Sequence, residues 1–458
     1  MLGKSAALSV GKDLLREYDT EKERLDFLDT WHNWEPDYLP LPGRSTDEHR
    51  RLAEISRTPV LRIVTASVSQ CLHVDGWRSD RTTDLLDDEA APWRIWRVNG
   101  WARRQHAVHD ASLVYGYAYG RTLPGEAQDG SPLSRVRGVS PRRAYATWRD
   151  PSEDEWPEFY IEVEPAPNSH KLVKLYDEDS VHYLSVEDTG HFEYIDSAIH
   201  DSGVVPVVRY GMPDLDGRCV GRVEPFISTV ARINKTTYDR MLIQHFNSWR
   251  TRTIAGLQIK DSASAEAVKT RLSHEDILVA PDADTKFGSL PETSLEGLIQ
   301  AHETEFDTLA AISQTPTSEF GKMANLSADA IAMARAGLTR TAFEWRSSFG
   351  EQHKQLLQLA ALQSGYPEDA YDETGRVHWQ DMEVRSLSQA VDALGKAAEM
   401  LGVPQEALWL RIPDVDQDDV AEWIELNKQR QADALAADPL AQLAGQLDRQ
   451  AKPAGDEE

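Results

Sequence analysis

One unbroken helical pattern runs from Ser327 to Ser364 and is closed by Gly365. At about 1.5 Å per residue such a helix spans roughly 57 Å, well beyond the three or four turns usual in globular proteins. Leu338, Ala342, Trp345, Phe349, Leu356 and Ala360 recur in steps of three, four and seven, which marks a single buried stripe. Ser327 is placed to cap the first turn, Asp329 to complement the positive end, and Gly365 to supply a left-handed stop. Gly337 and Gly350 lie inside the pattern and allow it to bend. A beam of this length reads as a structural spine rather than one wall of a catalytic pocket.

The rest of the chain must be folded around that spine. With 458 residues, 40% of them hydrophobic, and 13 tryptophans, there is material for two to four cored units. No run of eighteen apolar residues offers a membrane span, and the N-terminal stretch turns charged too soon for a secretory signal. Cys71 and Cys219 lie far apart without a CxxC spacing, which fits a reduced compartment and excludes a cysteine-based zinc site. The net charge of −27, displayed uniformly, would repel nucleic acid. The acid is clustered, however, in Asp84 to Glu89, Asp150 to Glu164, Asp414 to Glu425 and Glu457–Glu458. Solvated surface accounts for most of it.

Along the chain, residues 13 to 57 read as helices interrupted by the proline-rich loop Trp34 to Gly43. An apolar helix from Pro59 to Leu72 and a short strand, His73 to Trp77, follow. Ala91 to Tyr119 reads as one helix, with Trp93, Trp96, Trp101, His109, Leu113 and Tyr117 on a packed face. Alternating runs at Arg142–Arg149, Glu158–Val163, Lys171–Tyr176, Ser180–Val186, His191–Tyr194 and Val204–Tyr210, separated by turn residues, predict an antiparallel sheet. A second long helix covers Gly221 to Trp249. The strand Arg252–Leu257, helix Ser264–Arg271 and strand Asp276–Ala280 form a small α/β patch, and the loop Pro281–Pro291 leads to a helix over Leu295–Ile312. The polar loop Thr315–Leu326 joins it to the spine. Beyond the spine lie a strand (Val377–Val384), helices near Ser388–Leu401, Pro404–Leu408 and Val415–Ala434, and, from Ala436, a tail composed like disordered chain. The fold class is α+β.

Four blocks in this order carry a resemblance: Leu61 to Arg78 with the tryptophan-rich segment ending Asp110 to Gly120, then Val204 to Phe246, Ile277 to Gly321, and Asn325 to Leu357. Together they resemble the portal proteins of tailed double-stranded DNA bacteriophages, in the subtype common among long-tailed phages of actinobacteria, over roughly residues 15 to 435. The resemblance implies a portal-type fold: a helical and β wing (1–221, with the spine helix and a wing strand at 327–386), a two-helix stem (222–249 and 293–313), a small α/β clip (250–292), a tunnel loop (314–326) and a helical crown (387–435). It also implies a homo-oligomeric ring, twelve subunits in the virion, at one capsid vertex, assembled in the host cytoplasm. Such a ring is a channel for DNA packaging and ejection. Its implied partners are double-stranded DNA without sequence specificity, the terminase large subunit, the head–tail connector, and the major capsid and scaffold proteins, with no membrane.

Physics narrows where DNA would be met. Duplex that must slide cannot be held by many phosphate contacts, so a neutral or acidic wall with sparse cations suits the task. Arg232, Lys235 and Arg240, with Arg222, Arg250 and Arg252, make the 222–249 helix a candidate basic ring. Pairing with Glu296, Glu303, Glu305 and Asp307 of the next helix is the alternative. In the loop, Phe320, Lys322, Met323 and Asn325 offer an apolar wedge, a charge and two adaptable groups beside Gly321, or else simply connect two helices. No cofactor, metal site or catalytic group is expected. His106 and His109 with Asp110 have helical metal-ligand spacing but suit surface or packing roles better. Asp414, Asp416, Asp418 and Glu425 match a calcium loop except that Asp419 stands where its glycine is needed. Gly3-Lys4-Ser5 lacks the rest of a phosphate loop. A DNA-processing enzyme of the packaging apparatus is the alternative function, betrayed by metal-dependent cleavage or nucleotide hydrolysis.

Overall fold

A computed structural model describes residues 2–33, 41, 46–81, 90–167, 170–187, 189–248, 252–255, 286–289, 294–321, 328–380, 387–409, 411–412, 415 and 417–437. Its helices are α1 (Lys4–His32), α2 (Asp47–Ile55), α3 (Val60–Ser69), α4 (Ala91–Val98), α5 (Trp101–Tyr115), α6 (Ile227–Ser248), α7 (Glu296–Ser313), α8 (Ala328–Gln363), α9 (Pro367–Ala370), α10 (Leu387–Leu401), α11 (Glu406–Trp409) and α12 (Gln417–Ala437). Its strands are β1 (Val74–Arg78), β2 (Tyr117–Leu123), β3 (Arg135–Val139), β4 (Ala144–Thr147), β5 (Phe159–Pro165), β6 (Lys171–Tyr176), β7 (Ser180–Val186), β8 (Phe192–Ile199), β9 (Val207–Gly211), β10 (Arg252–Ala255), β11 (Lys286–Ser289) and β12 (Arg376–Trp379). The chain is an α+β protein. It divides into two units, one of Met1–Leu25, Ala66–Gly221 and Thr339–Glu458, the other of Asp26–Thr65 and Arg222–Leu338.

The spine is present as α8, 36 residues long, and all six stripe residues are buried, from 6% exposure at Leu338 to none at Ala342, Phe349, Leu356 and Ala360. Its end follows from backbone chemistry. Gly365 at φ 84° donates its N–H to Leu362, and Tyr366 donates to Ala361, so two terminal carbonyls are satisfied by a Schellman turn. Ser327, the expected cap, lies outside the described residues.

In the first unit β4 to β8 form a five-stranded antiparallel meander. Alternation decides what each face meets. Ile161, Val163, Val173, Leu175, Leu184 and Val186 pack against Ala7, Leu14, Leu15 and Tyr18 of α1. Tyr160, Tyr176 and Val181 point the other way, onto Tyr117, Tyr119 and Val207 of the three-stranded antiparallel sheet β3-β2-β9. Between the sheets the rings of Tyr117, Tyr119, Tyr160 and Tyr176 follow one another at 5.4–5.5 Å. Beside them Arg121 donates to Glu162 at 2.6 Å, and Tyr160 donates to the same carboxylate at 3.0 Å. α8 closes the far side of β9: Ser348 and Gln352 each donate to the Gly211 carbonyl at 2.7 Å. β1 pairs with β12, and buried Trp77 stands opposite Val377.

In the second unit α6 and α7 run antiparallel, as their contacts show: Arg222 donates to the Ser313 carbonyl near one end, and Arg232 pairs with Glu305 further along. β10 and β11 pair antiparallel beyond them. Thr229, Val230, Ile233, Asn234, Thr237 and Tyr238 form the buried face of α6, and Asn234 accepts the Thr58 N–H at 3.1 Å.

Four expectations are corrected. The Ala91–Tyr119 segment is two helices and a strand, broken at Gly100 and at Gly116 (φ 97°), so Tyr117 and Tyr119 belong to β2. A Cβ at Gly116 would lie 2.6 Å from the Cys219 carbonyl oxygen, which explains why the reversal falls there. β3 was not anticipated, because its arginines hide the alternation. The helix expected from Gly221 starts at Ile227, after a 3₁₀ turn containing Pro225. Part of the expected loop Pro281–Pro291 is β11, whose strand character comes from pairing with β10 rather than from its own short sequence. The expected helix Ser264–Arg271 and strand Asp276–Ala280 lie outside the described residues, as does the tail from residue 438.

Candidate functional site

Of the candidate residues, Arg232, Lys235 and Arg240 lie on α6, and Phe320 lies on the turn that follows α7. Ser228, Arg232 and Lys235 are exposed on the side of α6 opposite its buried face. At about 100° per residue Arg240 sits roughly 80° round from Arg232. Arg232, 58% exposed, reaches Glu305 of α7 at 3.1 Å, and Lys235 reaches Asp239 on its own helix at 2.5 Å. Arg240 is close enough to His302 to help depress its pKa, although burial of the imidazole is the larger cause. The face is thus one of alternating charge, cation beside carboxylate. Exposed pairs of this kind are worth about 0–1 kcal/mol each and exchange partners cheaply.

Phe320 ends a 3₁₀ turn, Thr317–Phe320, after which Gly321 takes φ 82°. Its ring meets Phe306 of α7 edge to face at 5.7 Å, and Phe306 in turn meets His302 at 4.9 Å. Phe320 is therefore half-buried against the helix pair. Lys322, Met323 and Asn325 lie outside the described residues, as does Arg250.

The histidines weighed for metal binding separate. His109 is fully buried, stacked on Phe349 with ring centroids 4.6 Å apart. His106 is exposed and stacks on His73 at 5.2 Å. His109 instead has an unforeseen partner, His353 of α8, at 2.9 Å between Nε2 atoms; His353 Nδ1 in turn meets the Tyr210 hydroxyl at 2.9 Å. Only the three-dimensional fold joins positions 109, 210 and 353. Among the described residues no group of three or more His, Cys, Asp or Glu is arranged to hold a metal ion, and no helix is long and apolar enough to cross a membrane. Asp414 and Asp416 fall outside the described residues.

Long paired helices, a spine and antiparallel sheets make this an α+β protein. The chain matches the family described as phage portal protein, SPP1 Gp6-like, over residues 12–434, and it belongs to that family. Its role is that of a portal protein, a component of the phage capsid. No curated protein matches it at a significant level.

Proposed function

We propose that the protein closes into a ring, twelve copies in the virion, forming the channel through which double-stranded DNA is packaged and ejected. In this reading 1–221 with 327–386 is the wing, α6 and α7 are the stem that lines the channel, 250–292 is the clip, 314–326 the tunnel loop and 387–435 the crown. The clip would dock the terminase large subunit and later the head–tail connector; the wing would meet capsid and scaffold proteins. The match to a portal family over nearly the whole chain carries this reading. The electrostatics of α6 support it. Arg232 and Lys235 are each held by a neighbouring carboxylate, so a passing phosphate competes with Glu305 or Asp239 instead of meeting a bare cation. Contacts of this kind release few counterions and carry no base information, which lets duplex slide. Phe320, Lys322, Met323 and Asn325 would touch the duplex from the loop. The role is mechanical, not enzymatic.

The purified full chain should be weighed and imaged. A ring of about 617 kDa, twelve times 51.4 kDa, with a central hole wide enough for B-form DNA is expected. A monomer under capsid-assembly conditions, or α6 and α7 pointing away from any opening, would refute the channel reading. Metal-dependent DNA cleavage or nucleotide hydrolysis by the pure chain would favour the packaging-enzyme alternative.

A further inference from the structure

Two arginines stand on one face of the three-stranded sheet in the first unit. Arg121 of β2 is opposite Val207, and Arg209 of β9 is opposite Tyr119, so both project on the side that carries Tyr117 and Tyr119. Their fates differ. Arg121 is neutralised by Glu162 at 2.6 Å. Arg209 has no carboxylate partner among the described residues; its guanidinium lies 4.1 Å from the centroid of the Trp148 ring. Stacking of this kind fixes the planar fork and leaves its N–H edge free to donate. Tyr119, 1% exposed, accepts the Ala146 N–H at 3.1 Å, and among the described residues its own hydroxyl proton has no acceptor.

Both donors line a cavity of about 530 Å³ walled by Tyr117, Tyr145, Trp148 and Glu21. Donors left without acceptors on one wall of a cavity call for an oxyanion. Its charge is limited by the surroundings. The lining holds three guanidiniums, Arg24, Arg209 and Arg218, against two carboxylates, Asp216 and Glu21, the latter already binding Arg24 at 2.7 Å and accepting from Tyr117 at 2.9 Å. The surplus of one positive charge is balanced by a singly charged carboxylate and exceeded by a dianionic phosphate. The aromatic walls suit the aliphatic stem and flanking backbone that an acidic side chain brings with it.

We propose that this cavity receives the carboxylate of an acidic side chain carried on a protein segment, with Arg209 donating two parallel hydrogen bonds and Tyr119 a third. The site is independent of the channel reading. It is tested on the full chain by saturation-transfer NMR with N-acetyl-glutamate amide, with its glutamine analogue as the neutral control, and by phosphorus line broadening with inorganic phosphate. Saturable binding of the glutamate probe is expected. The glutamine analogue should bind at least about tenfold more weakly, and phosphate no more tightly than the glutamate probe. Arg209→Gln should cost about tenfold or more at an unchanged unfolding midpoint, and Tyr119→Phe severalfold with a lowered midpoint, because the Ala146 N–H loses its acceptor, while the variant stays folded at the assay temperature; if Arg209→Gln fails to fold, Tyr119→Phe alone decides. No saturable binding up to about 50 mM, equal binding of the glutamine analogue, indifference to these substitutions, or tighter phosphate binding would each overturn it.

Discussion

His109 and His353 are the most demanding residues in the core, because two imidazoles are fully buried in contact and every nitrogen is used. His109 Nδ1–H can donate to the Leu72 carbonyl at 3.1 Å, His353 Nε2–H to His109 Nε2, and the Tyr210 O–H to His353 Nδ1. Only one set of neutral tautomers satisfies the whole chain. Burial pushes His109 down to about 3, with the charges of His106 and His73 adding to the effect, and holds His353 well below its ordinary value. The sign follows from linkage. Between about 6.5 and 3 the unfolded chain binds protons that the native pair refuses, so this stability is full above 6.5 and is lost as pH falls through that window. At pH 4 His109 alone should cost on the order of 3 kcal/mol relative to pH 7. Urea unfolding of wild type and His109→Gln at pH 7 and 5 should show a shallower pH slope in the variant; equal slopes would show that His109 is not the neutral, buried group described.

At the scale of elements, α8 stands on its stripe rather than on helix propensity, since a helix inside a folded protein gains most of its stability by burying one face. Trp345 and Phe349 lie 5.3 Å apart within that face, at 2% and 0% exposure, whereas Phe343 on the same helix is 68% exposed. Trp345→Ala should therefore destabilise by about 3–5 kcal/mol, and Phe343→Ala by less than about 0.5, in denaturant titrations of the intact chain. A comparable loss at both positions would mean that α8 is held in some other way. The stripe was legible in the sequence because a 3.6-residue period survives any tertiary context. Tyr117 and Tyr119 were misread as helical for the converse reason: a helix and a strand meet at Gly116, and the period changes from 3.6 to 2 within two residues.

For the whole molecule, charge is the dominant constraint. A net −27 per chain becomes about −324 in a twelvefold ring, and at short range only subunit contacts can offset that repulsion. Raising salt from about 50 to 300 mM shortens the Debye length from roughly 14 to 6 Å, so assembly should be promoted. Sedimentation velocity across that range should show the oligomer fraction rising with salt; a fall would indicate that complementary ion pairs, not screened repulsion, govern the interface.

The sequence by itself determined the spine, its glycine stop, the strand-rich stretch with its turns, and the family, because each is written in local periodicity or in a run of residues short enough to read directly. Tertiary structure decided which residues met. It brought His353 to His109 across 244 positions, gave Arg121 a carboxylate while leaving Arg209 on Trp148, and paired Arg232 with Glu305. Charge and hydrogen-bond partners act through space at a few ångströms, and no spacing along a chain encodes that distance.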